Sequence, residues 1–244
     1  MNIEINPRYS HFDSFVRQLP ATFDQSGELI YDSRNKVRLF TVNGQFIVVK
    51  RYKVPLLHQR IDYTFFRPSK AKRAYIFGMR LLSMGISTPD PIAYIEDFCG
   101  GLFCQGYFIS TFCGDPDLRV LREDPHSHDQ LMTAFVHFLV DMHKKGFIHG
   151  DTNLSNFLYH PDSSSYRYHI TTIDTNRSHF SSSPSSKECL KSLMRITHER
   201  MVLRKIVGEY ACMRGWNVEE SVNYIIKSIE NFEKRKRIKR KIFG

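Results

Sequence analysis

The sequence from residue 148 reads IHGDTNLSNFLY, which places His149, Asp151 and Asn156 on a short polar segment. An amphipathic helical pattern precedes this segment and a β-type run follows it, so the segment is predicted to be a loop. Asp174 comes directly after a second short β-type run, Thr171–Ile173. Two such turns side by side would bring a carboxylate base, an amide oxygen and a second carboxylate to one edge of a small hairpin.

This set of groups suits a magnesium ion and a hydroxyl group. Magnesium prefers hard oxygen ligands and takes several of them from water and from substrate phosphates, so one Asp and one Asn are sufficient. Phosphoryl transfer needs positioning, neutralisation of charge, and a carboxylate that accepts the proton of the acceptor hydroxyl. The pattern therefore predicts a site for phosphoryl transfer to a hydroxyl group.

The residues before this site have β-type patterns. Short β-type runs lie between Glu28 and Lys53, and the Asn43-Gly44 step between two of them predicts a hairpin. Side chains alternate across a strand, so Lys50 shares a strand face with Phe46 and Val48, and we expect that face to point inward.

One helix is predicted to follow, beginning after Ser69 and ending at Gly85, and two further strands come after it. The order strand, strand, helix, strand, strand indicates a small antiparallel sheet with one helix. We assign residues 1–112 to this β-rich, nucleotide-binding lobe.

Residues 113–244 are predicted to form a helical, catalytic lobe that ends in a basic tail, residues 234–244. A serine-rich segment precedes two predicted helices, and Asn217 with Glu220 forms a capping pattern at the start of the second. Its apolar stripe is predicted to be buried core: Val218, Val222, Ile225, Ile226, Ile229 and Phe232. The predicted fold class is α+β, with two lobes.

The net charge of +10 depends strongly on the tail, because the run KRKRIKRK at residues 234–241 supplies seven positive charges. Such a run attracts anionic lipid headgroups, nucleic acid or acidic partners. A solvated end of the last helix explains the run equally well. Aromatic residues do not alternate with these charges, so specific nucleic-acid binding is not expected.

Composition places the protein among ordinary globular chains, with 41% hydrophobic residues. The start of the sequence has no pattern of a signal peptide, and no run approaches the roughly 18 to 20 apolar residues that span a bilayer. We therefore expect a cytoplasmic protein. The five cysteines show neither a disulfide framework nor zinc spacing, and reduced, mostly buried thiols are expected.

The pattern H-x-D-x-x-x-x-N at residues 149–156, with Val-Val-Lys upstream and Asp174 downstream, resembles the protein-kinase-like phosphotransferase superfamily. Within it, HGDTNLSNFLY and IDTNR look most like the lipopolysaccharide kinases of the Kdo/WaaP type. KRYKVP, GISTPDPIAYIE and the basic end support that choice. The resemblance runs from about Glu28 to Arg177.

The resemblance implies a role for each matching residue. Asp151 corresponds to the catalytic base, Asn156 and Asp174 to the magnesium ligands, and Lys50 to the lysine that contacts the nucleotide phosphates. The implied cofactors are ATP and Mg²⁺. The implied acceptor is a sugar hydroxyl of the lipopolysaccharide inner core, a lipid-linked partner, and the enzyme would be peripheral on the inner face of the inner membrane.

The sequence departs from the superfamily pattern in the N-terminal lobe. No glycine-rich loop occurs, so the phosphate contacts of that loop would fall to Ser33, Arg34 and Asn35. Ile76 occupies the helix position where a glutamate partner for Lys50 is expected. Either another carboxylate, such as Asp62, serves the lysine, or the lysine is less firmly oriented and catalysis is weakened.

Alternative functions remain open at this stage. A kinase of protein Ser or Thr, or of another small molecule, has the same catalytic pattern. A pseudokinase that binds nucleotide and has lost efficient transfer fits the missing glutamate. His149 is expected to be structural and to link its loop to the Asp174 turn. Arg177 either forms a structural ion pair or binds an anionic group of the acceptor.

Overall fold

The computed structural model describes residues 1–122, 128–162 and 168–243, and it describes the side chains as far as residue 238. Within these residues the chain divides into two compact units, Met1–Gly114 and Asp115–Gly244. The predicted boundary lies two residues earlier, after Phe112. Among the described helices, none has both the length and the apolar character needed to cross a bilayer.

The first unit is built on a six-stranded antiparallel sheet with the strand order β1-β5-β6-β4-β3-β2. Its elements are β1 (Asn2–Ile5), α1 (Asp13–Thr22), β2 (Glu28–Asp32), β3 (Lys36–Val42), β4 (Gln45–Arg51), α2 (Leu57–Phe65), α3 (Lys70–Ser83), β5 (Pro91–Cys99) and β6 (Leu102–Thr111). The predicted α+β class is confirmed. The unit nevertheless has three α-helices where the sequence predicted one.

The hairpin between β3 and β4 is confirmed. Asn43 and Gly44 both have positive φ angles, 52° and 76°, which suit the right-handed twist of two strands joined by a two-residue turn. Sequence patterns did not indicate α1, because Pro20 lies inside this helix and proline normally signals a helix end. The strand β1 was also missed, because it is a four-residue edge strand beside β5.

The two faces of this sheet are covered by different helices. Val16 and Leu19 of α1 pack on one face, against Ile47 and Val49 of β4. The opposite face meets α3, where Ala71 belongs to a cluster of buried aromatic residues. Both faces of the sheet are therefore shielded, although only the face under α1 has an extended aliphatic core.

The predicted inward orientation of Lys50 holds only in part, since α3 covers its face of the sheet but the face under α1 has the larger core. Lys50 does share a strand face with Phe46 and Val48, but Phe46 is 57% exposed, whereas Ile47 and Val49 are fully buried on the other face. The four residues from Phe46 to Val49 are all apolar, so alternation alone does not show which face is core. The position of α1 determines which face is core, and no clear sequence pattern predicted this helix.

Two cysteines differ from the expectation of reduced thiols. Cys99 and Cys104 are joined by a disulfide at the β5–β6 turn. Cys113, Cys189 and Cys212 are not part of the disulfide, and of these three only Cys189 is buried. Spacing alone did not indicate the pair, because the two residues become neighbours only when the hairpin forms.

In the second unit, the residues that the structure describes form four α-helices and two short antiparallel pairs, β7 with β10 and β8 with β9. Its elements are α4 (Asp129–Lys144), β7 (Phe147–Ile148), β8 (Phe157–Pro161), β9 (Tyr168–Thr172), β10 (His179–Phe180), α5 (Ser186–Ser192), α6 (Arg200–Met213) and α7 (Val218–Phe243). Three helices follow the serine-rich segment where two were predicted, because α5 has only seven residues and no long apolar stripe.

The last helix, α7, begins as predicted. The side-chain oxygen of Asn217 accepts a hydrogen bond from the backbone N–H of Glu220 at 3.0 Å. The prediction that its apolar stripe is core holds only in part, since Ile225 is buried whereas Val218 and Phe232 are exposed. The helix continues to Phe243, so the basic run is the last part of a helix, and its side chains at 234–238 are exposed.

The assignment of the two faces of β4 gives a test by paired substitutions. We expect Ile47→Ala to lower the free energy of unfolding by about 2–5 kcal/mol, because it leaves a cavity in the core under α1. We expect Phe46→Ala to cost less than about 1.5 kcal/mol, since this ring is exposed and only its edge-to-face contact with Phe112 is lost. Urea unfolding measures both values. A larger loss for Phe46→Ala would contradict the assigned faces.

Candidate active site

The β8–β9 hairpin brings Asn156 and Asp174 to one end. Asn156 directly precedes β8, Asp174 is the second residue after β9, and the first pair of the hairpin is Phe157 with Thr172. The backbone N–H of Ile173 donates to the carbonyl of Asn156 at 2.9 Å, which fixes the two turns side by side. The amide and the carboxylate therefore lie at the same edge, as their sequence positions predict.

His149 links the loop to this edge, as predicted. It is 1% exposed, and burial lowers the pKa of its imidazole from the usual value. Its Nδ1 accepts from the backbone N–H of Asp151 at 3.0 Å, so the neutral ring carries its proton on Nε2. That proton is donated to the carbonyl oxygen of Ile173 at 3.1 Å. Both ring nitrogens are thus used to hold Asp151 beside the Asp174 turn.

The amide of Asn156 is held by the same loop. Its Nδ2 donates to the backbone carbonyl of Asp151 at 2.8 Å, which leaves the side-chain oxygen to act as a ligand. Asn176 plays a comparable part for Asp174, because its Nδ2 donates to that carboxylate. Asp174 itself has a left-handed backbone with φ 57° and ψ 48°, which turns the chain sharply after β9.

The available donors fit magnesium. Asn156 offers an amide oxygen and Asp174 a carboxylate, and both are hard ligands. Nowhere in residues 1–122, 128–162 and 168–243 do three or more His, Cys, Asp or Glu side chains form a group that could hold a metal ion. A magnesium ion at these two residues would accordingly complete its shell with water and phosphate oxygens.

Gly150 occupies a position that no other residue fits. A Cβ atom there would lie 2.2 Å from the carbonyl oxygen of Arg177, far inside van der Waals contact. The backbone N–H of Gly150 donates to the hydroxyl of Ser178 at 3.1 Å. The glycine therefore lets the segment after Asp174 lie directly on the loop that carries Asp151.

Arg177 forms an ion pair with the candidate base. Its Nη1 lies 3.5 Å from Oδ2 of Asp151, and the arginine side chain is half exposed. Of the two roles expected for Arg177, the structure thus shows the ion pair, and the partner of Arg177 in that pair is Asp151. Because the pair is partly exposed, its Coulomb energy is screened by water.

A buried polar network supports the loop from the helical side. The hydroxyl of Thr152 donates to the backbone carbonyl of Ser192 at 2.5 Å, and Oγ of Ser192 lies 3.2 Å from Nε2 of His143. The other nitrogen of His143 lies 2.8 Å from the hydroxyl of Tyr210. Burial, reinforced by the positive charge of Arg214, lowers the pKa of His143 to about 3. The imidazole is therefore neutral at physiological pH.

In the first unit, Lys50 lies on the sheet face that α3 covers. It stands opposite Phe108 of β6 and Val37 of β3, and its Nζ is 5.4 Å from the ring centroid of Tyr52. Glu96 of β5 is on the same face and is 6% exposed. The structure thus places a buried carboxylate on the face that carries the lysine.

Asp62, the carboxylate that the sequence suggested as a partner of Lys50, forms an ion pair with Arg67 instead. Ile76, at the helix position where a glutamate was expected, is 40% exposed. No carboxylate of α3 can take that role, because the helix contains none.

The proposed phosphate-contacting residues form the turn between β2 and β3. The backbone N–H of Ser33 donates to the carbonyl of Asn35 at 3.2 Å. The Asn35 side chain accepts from the backbone N–H of Lys53 at 3.1 Å, which ties the turn to the residues after β4. Ser33 and Arg34 are exposed, so their groups are open to a ligand.

Sequence reasoning missed Asn176, Ser178 and the reason for Gly150. Asn176 and Ser178 are polar residues that follow Asp174 closely and are nevertheless buried. A run of small polar residues directly after a strand-borne aspartate was the available signal. The need for Gly150 depends on the path of the chain at Arg177, which spacing cannot show.

Comparison with solved structures agrees with this architecture. WaaP in complex with acyl carrier protein matches with a TM-score of 0.64 at 17% identity, over 95% of this chain and 99% of that chain. The Rio2 kinase from Chaetomium thermophilum, in its ADP/Mg²⁺-phosphoaspartate complex, matches with a TM-score of 0.50 at 13% identity, over 91% and 77% of the two chains. Neither protein-family models nor curated sequences match the chain. The fold is protein-kinase-like.

Glycine substitutions test the close approach at the site. We expect Gly150→Ala to displace the Arg177 segment and to reduce the melting temperature measurably, because the added methyl group meets a backbone oxygen. Gly208→Ala is the control, since in the helix α6 the new methyl group meets only Val218 at 3.6 Å. It should stabilise the protein by about 0.5–1 kcal/mol. Equal melting temperatures for Gly150→Ala and the wild type would contradict the described packing.

The buried His143 predicts a dependence of stability on pH. Its folded-state pKa of about 3 lies below the unfolded value of 6.5, so its contribution is complete above pH 6.5 and is lost as the pH falls toward 3. Between pH 7 and pH 5 the wild type should lose roughly 2 kcal/mol more than His143→Gln, which cannot titrate. Urea unfolding at each pH measures the difference. Identical losses in both proteins would show that His143 is not held neutral.

Proposed function

We propose that the protein is an ATP- and Mg²⁺-dependent phosphotransferase that phosphorylates a sugar hydroxyl of the lipopolysaccharide inner core. One observation supports the phosphotransferase activity most directly. The buried His149 holds Asp151 beside the turn that carries Asp174, and the same loop holds Asn156. A base and two oxygen ligands are thereby fixed at one end of a hairpin, which is what transfer to a hydroxyl group requires.

Asp151 is the proposed catalytic base. Its carboxylate would accept the proton of the acceptor hydroxyl as the acceptor oxygen forms a bond to the γ-phosphorus, while the bond from that phosphorus to the β,γ-bridging oxygen breaks and ADP leaves. Arg177 would orient the carboxylate through their ion pair before the acceptor binds. His149 is a positioning residue, because it acts on the reaction only through the backbone of Asp151 and Ile173.

Asn156 and Asp174 are the proposed magnesium ligands. The ion, when bound, would neutralise charge on the phosphates. Asn176 would fix the rotamer of Asp174 through its hydrogen bond to the carboxylate. Lys50 is the proposed contact of the α and β phosphates, and Ser33, Arg34 and Asn35 are the proposed residues of the phosphate-covering turn.

The acceptor is proposed from the sequence resemblance to the Kdo/WaaP type and from the fold likeness to WaaP along nearly the whole chain. The exposed basic residues at 234–238 of α7 supply charges that would attract an anionic inner leaflet, where the lipid end of such an acceptor lies. The enzyme is accordingly proposed to be cytoplasmic and peripheral on the inner membrane.

Transfer of labelled phosphate provides the test. The purified protein is incubated with magnesium, γ-labelled ATP and a lipid-A-core extract deficient in phosphate. We expect label in the glycolipid with the wild type, and a loss of at least a hundredfold with Asp151→Asn, because general-base catalysis typically contributes 10² to 10⁴ in rate. Asp141→Asn is the control, since Asp141 on α4 is half exposed and forms an ion pair with Lys145, the residue after the helix.

The outcomes separate the alternatives. If label appears in a protein or in a soluble sugar but not in the glycolipid, the proposed acceptor is wrong and the proposed phosphotransferase activity is supported. Nucleotide binding without transfer to any acceptor would identify a pseudokinase. If Asp151→Asn transfers phosphate as fast as the wild type, the assigned catalytic residue is wrong.

A further inference from the structure

The helix α2 presents an apolar stripe to solvent. Leu57, Ile61 and Phe65 follow one another at intervals of four residues, so they lie along one side of the helix. They are 61%, 39% and 66% exposed. We call these three residues the α2 stripe. Scattered single apolar residues on a surface are ordinary, but a continuous stripe of large ones is not.

The helix is attached to the sheet through residues outside the stripe. The Nε of Arg60 donates to the carbonyl of Phe103 at 2.8 Å, and the hydroxyl of Thr64 accepts from the backbone N–H of Phe103 at 2.8 Å. The ring of Tyr63 packs edge-on against that of Phe103 at 5.4 Å. These contacts fix the orientation of α2 on β6, so the α2 stripe has a defined orientation as well.

Further exposed apolar residues extend the stripe at both ends. Val54 and Leu56 precede the helix, and Phe66 follows it with 78% exposure. The ring of Phe66 contacts that of Phe65 with centroids 6.4 Å apart. Six large apolar side chains are thus exposed between residues 54 and 66, and an apolar surface of this size is normally covered by a partner.

The surrounding sequence is strongly basic. Residues 51–89 contain eight Lys or Arg residues and a single acidic one, Asp62, so their net charge of +7 equals that of the tail. Lys53 is exposed at one end of the helix and Arg67 is half exposed at the other. Acidic residues elsewhere in the chain balance the charge of this second basic region, so the net charge alone pointed to the tail and did not reveal it.

We propose that the α2 stripe is a membrane-docking surface that inserts into the interface of an anionic lipid bilayer. Helices that lie in a membrane interface combine large apolar side chains on one side with Lys and Arg at the edges, and they bind through buried apolar area together with attraction to anionic lipid. The α2 stripe has this composition, and the charge of residues 51–89 is complementary to anionic headgroups. The inference does not depend on phosphotransferase activity.

Sedimentation with vesicles tests the proposal on the full chain. The vesicles consist of phosphatidylcholine with phosphatidylglycerol, or of phosphatidylcholine alone. We expect Phe65→Ser/Phe66→Ser to bind the anionic vesicles at least tenfold more weakly than the wild type. Met201→Ser is the matched control, because Met201 is 72% exposed on α6 and should leave binding unchanged. Circular dichroism verifies that all three proteins are folded.

Salt and fluorescence separate insertion from attraction by the basic tail. High salt screens surface charges, so the tail alone would release the protein, whereas an inserted stripe retains part of the binding. Phe65→Trp adds a fluorophore to a chain whose only other tryptophan is Trp216. Its emission should shift to shorter wavelength with anionic vesicles, while the wild-type emission should not change.

Three results would overturn the proposal. The first is equal vesicle binding by Phe65→Ser/Phe66→Ser and the wild type, and the second is no vesicle binding by the wild type. The third is that the wild type forms a dimer, or a complex with a small acidic protein, and that Phe65→Ser/Phe66→Ser dissociates this complex without weakening vesicle binding. The stripe would then be a protein interface. Phosphate transfer to a water-soluble acceptor is measured in parallel, and its absence would affect only the proposed function.

Discussion

The buried imidazole of His149 is the interaction on which the candidate site depends. It joins the backbone of Asp151 to the last residue before Asp174, and each hydrogen bond uses one nitrogen of a neutral ring. Burial favours the neutral form, and the neutral form alone can accept from one group and donate to the other. The cost of enclosing a polar ring is thus offset by the two bonds that align the loop with the hairpin.

The sequence was informative about the site because the β8–β9 hairpin is local. Asn156 lies directly before β8 and Asp174 lies two residues after β9, and period-two patterns reveal such short antiparallel pairs. The roles of Asp151, Asn156 and Asp174 stay predictions, since geometry shows that these groups are together and not what they do. Asn176 and the tight fit of Gly150 could not be predicted, because both depend on where the chain turns after β9.

The sequence was less informative about the first unit. The central strands, their hairpin and α3 were predictable from alternation, an Asn-Gly turn and a serine cap. The edge strand β1 is too short to show a pattern, and α1 contains Pro20. Without α1, the apolar run from Phe46 to Val49 did not reveal which face was core. Glu96 was overlooked because the face that a strand residue occupies depends on the strand register and not on the residue type.

The contact between Gly150 and Arg177 has a consequence for engineering. The main chain of Arg177 packs closely against Gly150, whereas its guanidinium pairs with Asp151 and is half exposed. Backbone and side chain are therefore decoupled at this position. A library of residue types at 177 would vary the size and charge beside the Asp151 carboxylate, while the contact between the main chain of residue 177 and Gly150 would remain.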